Sequence, residues 1–102
     1  MKYILLSMDG PISLYEVPDK IAKNLHEYCI DFLKWAEHGP EAKRLKKGYF
    51  PEEEFIKYLN NVVNPNYIYK SKFIKTIANT DEEKIKVLEV AEPYKDYPYF
   101  NF

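Results

Sequence analysis

His26 and Cys29 are the pair of side chains in this sequence whose types and spacing suggest covalent chemistry. Three residues apart on a helix they can touch, and an imidazole beside a thiol is one way to make a thiolate nucleophile. Cys29, however, falls in the middle of an apolar stripe, where an inert buried thiol is the ordinary reading. No glycine-rich elbow or phosphate-cradling loop accompanies the pair, since the glycines stand alone at positions 10, 39 and 48. A metal site would have to draw on His26, His38, Cys29 and carboxylates. There is no C-x-x-C pair, and the spacing of the two histidines matches no zinc pattern. His38 suits the negative end of a helix, and the runs Glu52-Glu53-Glu54 and Asp81-Glu82-Glu83 suit positive ends. Neither run has the oxygen-ligand spacing of a calcium loop. The expectation is a non-enzyme with no metal and no cofactor.

Two basic groups are left over. Lys43, Arg44, Lys46 and Lys47 form a dense patch, and Lys70, Lys72 and Lys75 a looser one beside Tyr67 and Tyr69. Lysines with interleaved aromatics can track a nucleic-acid backbone and stack on bases. The whole chain argues against it: 15 basic against 16 acidic residues give a net charge of −1, and Arg44 is its single arginine. A polyanion binder normally carries a basic excess and uses arginine for bidentate contacts. Nucleic acid is therefore the alternative rather than the leading partner. A solvated loop face is the ordinary meaning of such lysines, and the acidic surface of a protein is the functional one.

The aromatic content, 17% with ten Tyr and six Phe, is the other signal. Tyr94, Tyr97, Tyr99, Phe100 and Phe102 crowd the last residues between and beyond Pro93 and Pro98. Such side chains bury large area at low rotamer cost and are enriched at interfaces. The competing reading is a strap over the core with its phenols in water. Lys43, Arg44, Lys46, Lys47, Tyr94, Tyr97 and Tyr99 are thus the candidate partner-binding residues.

The elements that must position them read as follows. Residues 2–17 form a hairpin around Asp9-Gly10-Pro11. Its first strand is apolar on both faces, as a doubly covered central strand would be. Its second, with Ser13 and Glu16, leaves room for a wetter edge. Residues 19–38 carry Ile21, Ala22, Leu25, Tyr28, Cys29, Phe32, Leu33 and Ala36 at helical spacing, capped by Asp19 and ended by Gly39-Pro40. A helix over 51–63 opens with Pro51 and three glutamates and stops at Asn64-Pro65-Asn66. Residues 67–78 read as a strand, although Phe73, Ile74, Ile77 and Ala78 also fit a helical stripe. Residues 81–91 are helix or strand, the Thr80-Asp-Glu-Glu start favouring helix, and 93–102 are the aromatic strap. The sum is one α+β domain: a small antiparallel sheet, the hairpin plus a third strand, with two or three helices packed on one face.

The opening Met1-Lys2-Tyr3-Ile4-Leu5-Leu6, the Val17-Pro18 helix entry, Leu25-His26-Glu27-Tyr28-Cys29 with Phe32 and Trp35, and the close Pro93-Tyr94-Lys95-Asp96-Tyr97-Pro98-Tyr99-Phe100-Asn101-Phe102 resemble small bacterial proteins regarded as immunity proteins of polymorphic or contact-dependent toxin systems. The resemblance implies a cytoplasmic protein that binds a toxin domain and occludes it. It brings no set of functional residues with it. A near-neutral charge differs from the strong acidity of immunity proteins that face basic nucleases. A lone cysteine excludes an internal disulfide, no apolar run is long enough for a bilayer, and the cytoplasm is the expected compartment. Monomer and homodimer both stay open.

Overall fold

The turn Asp9-Gly10-Pro11 folds the start of the chain into a hairpin of β1 (Lys2–Ser7) and β2 (Ile12–Val17). The strands pair antiparallel from Lys2↔Val17 to Leu6↔Ser13. Asp9 takes a positive φ of 51°, a region that aspartate visits more readily than most residues. The structure, a computed structural model, describes residues 1–102.

Alternation along β1 sends Ile4 and Leu6 to one face of the sheet and Leu5 to the other, and all three are fully buried. Two cores result. The larger joins Ile4, Leu6, Tyr15 and Val17 to side chains of α1 (Asp19–Lys23), α2 (Leu25–His38), α3 (Ala42–Leu45) and α4 (Pro51–Tyr58). The smaller joins Leu5, Ile12 and Leu14 to Ala78 of β3 (Lys72–Ala78) and Val87 of α5 (Asp81–Glu89). The class is α+β, but helices cover both faces of the sheet rather than one. A strand that is apolar on both sides has no face to leave in water.

The strand order is β3-β2-β1-β4, with β4 at Tyr99–Asn101. β2 therefore lies inside the sheet, not at its edge. Its polar residues are matched across the β2–β3 pair: Ser13 Oγ lies 3.2 Å from Thr76 Oγ1, and Glu16 pairs with Lys72 at 3.7 Å. The third strand starts at Lys72 and not at Tyr67. Its partner β2 runs out at Val17, and Pro18 has no N–H to extend the ladder. Ser71 turns instead to the Asn60 side chain, donating to Oδ1 at 2.8 Å and accepting from Nδ2 at 2.9 Å. The sheet is mixed, not purely antiparallel, because β4 joins β1 in parallel from Leu5↔Tyr99 to Ser7↔Asn101. The tail crosses the second face in a 3-10 turn, Tyr94–Asp96, and enters the free edge of β1. There Leu5 N–H donates to Pro98 O at 2.8 Å, and Phe102 N–H to Ser7 O at 2.9 Å.

Two helices are less regular than their apolar periodicity implies. The 19–38 helix breaks at Asn24, whose side-chain amide donates to Lys20 O at 3.0 Å, a local bond that competes with the helical backbone. Asp19 is the first helical residue rather than its cap, and its carboxylate holds the N-terminal ammonium at 2.9 Å. The 51–63 helix stays α-helical to Tyr58 and then widens into a π turn, Leu59–Val63, closed by Asn64 N–H on Leu59 O at 2.9 Å. Lys70 Nζ secures that end through the carbonyls of Asn60, Asn64 and Pro65 at 3.2, 3.3 and 3.0 Å. α5 opens with a capping box between Thr80 and Glu83.

Candidate protein-binding surfaces

The two groups that suggested covalent chemistry face different surroundings. Cys29 is fully buried among core side chains of α2, and burial pushes its thiol up to about 12. His26 is exposed, with its ring 5.7 Å from that of Phe100. Nothing depresses the thiol, so it is a packing group. Alkylation at pH 8 should be negligible on the hour scale in the folded protein and complete once guanidinium unfolds it. Fast labelling of the native state would mean that the thiol is activated.

The basic segment is built around α3, whose short helix is held by what flanks it. Gly39 is needed because a Cβ there would lie 2.5 Å from Trp35 O. Gly48 is needed because the chain leaves the segment with φ at 109°. Leu45 is the buried anchor. Arg44 is not free to meet a partner: its guanidinium forms a fork on Glu54, 3.2 Å to each oxygen, with Glu41 a further 3.7 Å away. That fork, together with Lys57, holds the Glu54 carboxyl below the usual carboxylate range despite its burial. Glu54 is more than a dipole-balancing first-turn residue, because it ties α4 to α3. A lowered carboxyl contributes stability above its ordinary range and loses it as pH falls through the shifted value. Glu54→Gln should therefore flatten the acid side of the melting temperature profile below about pH 4.3, and an unaltered acid limb would contradict the tie. Lys43, Lys46 and Lys47 are exposed without a carboxylate partner. Lys43 and Lys46 border a groove of 640 Å³ between α2 and α3.

The tail tyrosines lie elsewhere. Tyr94 and Tyr97 are half-buried against the smaller core, and Tyr97 also meets Tyr3 at a ring distance of 5.6 Å. Tyr99 presents an exposed ring, but its hydroxyl is bound at the sheet edge. Ser7 Oγ–H donates to Asn101 Oδ1 at 2.7 Å, so the Tyr99 phenol donates to Ser7 Oγ at 2.8 Å. Asn101 also accepts from the Asp9 amide and donates to the Asp9 carboxylate, both at 2.8 Å. These four residues lash the tail to the hairpin turn. Phe100 and Phe102 point to the other face, where Phe102 packs 5.9 Å from Phe32 and 5.5 Å from Phe55. The basic segment and the tail tyrosines thus pack on opposite faces of the sheet and do not converge.

The densest run of exposed apolar side chains lies between α4 and β3 and in the start of β3, while Phe50, Ile85 and Val90 are exposed singly elsewhere. Ile68 is 79% exposed, Tyr69 59% and Phe73 54%, with Tyr67 and Ile74 exposed as well. Tyr15, Ile56 and Phe73 also line a groove of 440 Å³ beside Glu53 and Lys57. Beneath it the Tyr15 hydroxyl donates to Glu52 at 3.3 Å, and burial pushes both groups up in pKa. The backbone edge of β3 is guarded. Ile74 and Ile77 are extra residues against β2, and such bulges with flanking lysines discourage an added strand. The exposed side chains, not the edge amides, are the available contact surface. Of the looser basic group, Lys70 and Lys72 are held internally.

No three His, Cys, Asp or Glu side chains converge as metal ligands would, and no helix is long and apolar enough to cross a membrane. No family model matches the chain, and no curated protein or solved structure matches it.

Proposed function

We propose that this chain is a non-enzymatic protein-binding module that neutralises a toxin domain in the cytoplasm by covering it. The observation that carries the reading is the stretch Tyr67–Ile74, where Tyr67, Ile68, Tyr69, Phe73 and Ile74 all stand exposed. Clustered large apolar side chains in water mark interaction sites far more often than chance, and tyrosine-rich ones suit protein interfaces. They sit on a firm base. Lys70 and Asn60 fix the loop, every buried side-chain nitrogen and oxygen has a partner, and a rigid face loses little entropy on binding. The resemblance of the opening, the first long helix and the aromatic close to immunity proteins supplies the kind of partner. Internal partners for Arg44, Lys70 and Lys72 weigh against the nucleic-acid alternative.

On this reading the neighbouring gene encodes a large secreted protein with a variable C-terminal domain. Expressing that domain alone should arrest growth, and this chain should restore it. Ile68→Asp with Tyr69→Asp should abolish the rescue while leaving the melting temperature unchanged. Arrest that the wild-type chain does not relieve overturns the toxin assignment.

A further inference from the structure

The groove between α2 and α3 is chemically unlike the Tyr67–Ile74 surface. Its floor is apolar, made by Leu33 and Ala36 of α2, Ala42 and Leu45 of α3, and Tyr49. Its rim carries Lys43 and Lys46, with Lys47 next in the chain. The only other cation in that short helix, Arg44, is neutralised by Glu54 and Glu41. Glu37 and His38, at the α2 end, also line it, 3.7 Å apart and both exposed. Lys43 and Lys46 therefore line a volume of 640 Å³ without an ion pair of their own, and with Lys47 beside them they outnumber Glu37, the one carboxylate in the lining.

We infer that this groove is a second docking site, which receives an acidic amphipathic helix of a protein partner. Apolar side chains of such a helix fit the Leu33–Ala36–Tyr49 floor, while its carboxylates complete the ion pairs that Lys43, Lys46 and Lys47 lack. An amphipathic helix laid in a groove is a recurrent recognition mode, and complementary charge at the rim sets on-rate and register. A nucleic acid fits less well. The single aromatic ring of the groove, Tyr49, is half-buried and packed edge-on to Phe32 at 6.2 Å, leaving no stacking platform. The inference stands apart from the toxin reading, because it concerns other residues and is tested with another ligand.

The probe is a fluorescein-labelled synthetic helix about four turns long, leucine on one face and glutamate on the other, titrated at low and high salt. Saturable binding to the full chain is expected, weakening as salt rises. The largest amide shifts should fall on Leu33, Ala36, Ala42 and Tyr49. Lys43→Gln, Lys46→Gln and Lys47→Gln together should weaken binding about tenfold and flatten its salt dependence. Ala42→Trp, which fills the groove and keeps the charge, should also weaken it about tenfold. Lys75→Gln, on β3, should change nothing. The site is overturned if the helix does not bind at low salt, if its shifts map elsewhere, or if Ala42→Trp binds normally. Equal competition by poly-glutamate or by an oligo-dT strand would also overturn it, since the lysines would then be a generic polyanion surface.

Discussion

Phe32→Ala is expected to lower the unfolding free energy by about 3–5 kcal/mol, the range seen when a buried aromatic ring is deleted. Phe32 has no exposure to solvent, and its ring sits 5.5–6.3 Å from those of Trp35, Tyr49, Phe55, Tyr58 and Phe102. Those partners come from α2, the segment after α3, α4 and the chain end, so one truncation loosens four parts of the larger core. At about 4–8 °C per kcal/mol for a domain of this size, the melting temperature should fall by more than about 12 °C. Phe32→Leu, which keeps most of the volume, should fall much less. Equal losses from both would mean that ring-on-ring packing contributes little here.

Deleting residues 99–102 should have the next largest effect. It strips the parallel strand from β1 and takes Phe100 and Phe102 away from the larger core. It also breaks the bonds of Tyr99 and Asn101 to Ser7 and Asp9. A fully buried ring is worth about 1.5–3 kcal/mol, and both phenylalanines are only half-buried, so a loss of about 3–4 kcal/mol is expected. Tyr99→Phe isolates one hydrogen bond of the lashing and should cost only about 1 kcal/mol. A deletion that leaves the melting curve in place would mean that the tail is free.

Elements whose formation is decided locally were legible in the sequence. The hairpin announces itself through β-prone runs on either side of Asp9-Gly10-Pro11, and the main helix through apolar residues at helical spacing between Pro18 and Gly39. What was not legible depends on distant partners. Nothing local says that a three-residue strand will pair in parallel with β1, because its hydrogen bonds are chosen by the free edge it reaches. The two-sided apolar character of β1 did carry the message that both faces are covered, yet the α5 layer is small and its stripe weak. Charge was misread for a similar reason. Arg44 looked like part of an outward patch because its fork partner Glu54 lies on another helix. Glu54 in turn looked like an ordinary first-turn acid. The strand was started too early by β-propensity: Tyr67-Ile68-Tyr69 are strand-forming types, but Pro18 and the Asn60–Ser71 bonds end the ladder first.

The most direct measurement is calorimetric titration of the toxin domain that the proposed function assigns to the neighbouring gene, with the wild-type chain and with the Ile68→Asp, Tyr69→Asp variant. Both substituted positions are exposed, so the variant should melt with the wild type. Loss of interface anchors typically costs 2 kcal/mol or more, about a 30-fold change in Kd. A saturable complex with the wild type and a Kd raised at least about 30-fold in the variant is the expected result. An equally tight complex with both chains would contradict the placement of the binding face on Tyr67–Ile74.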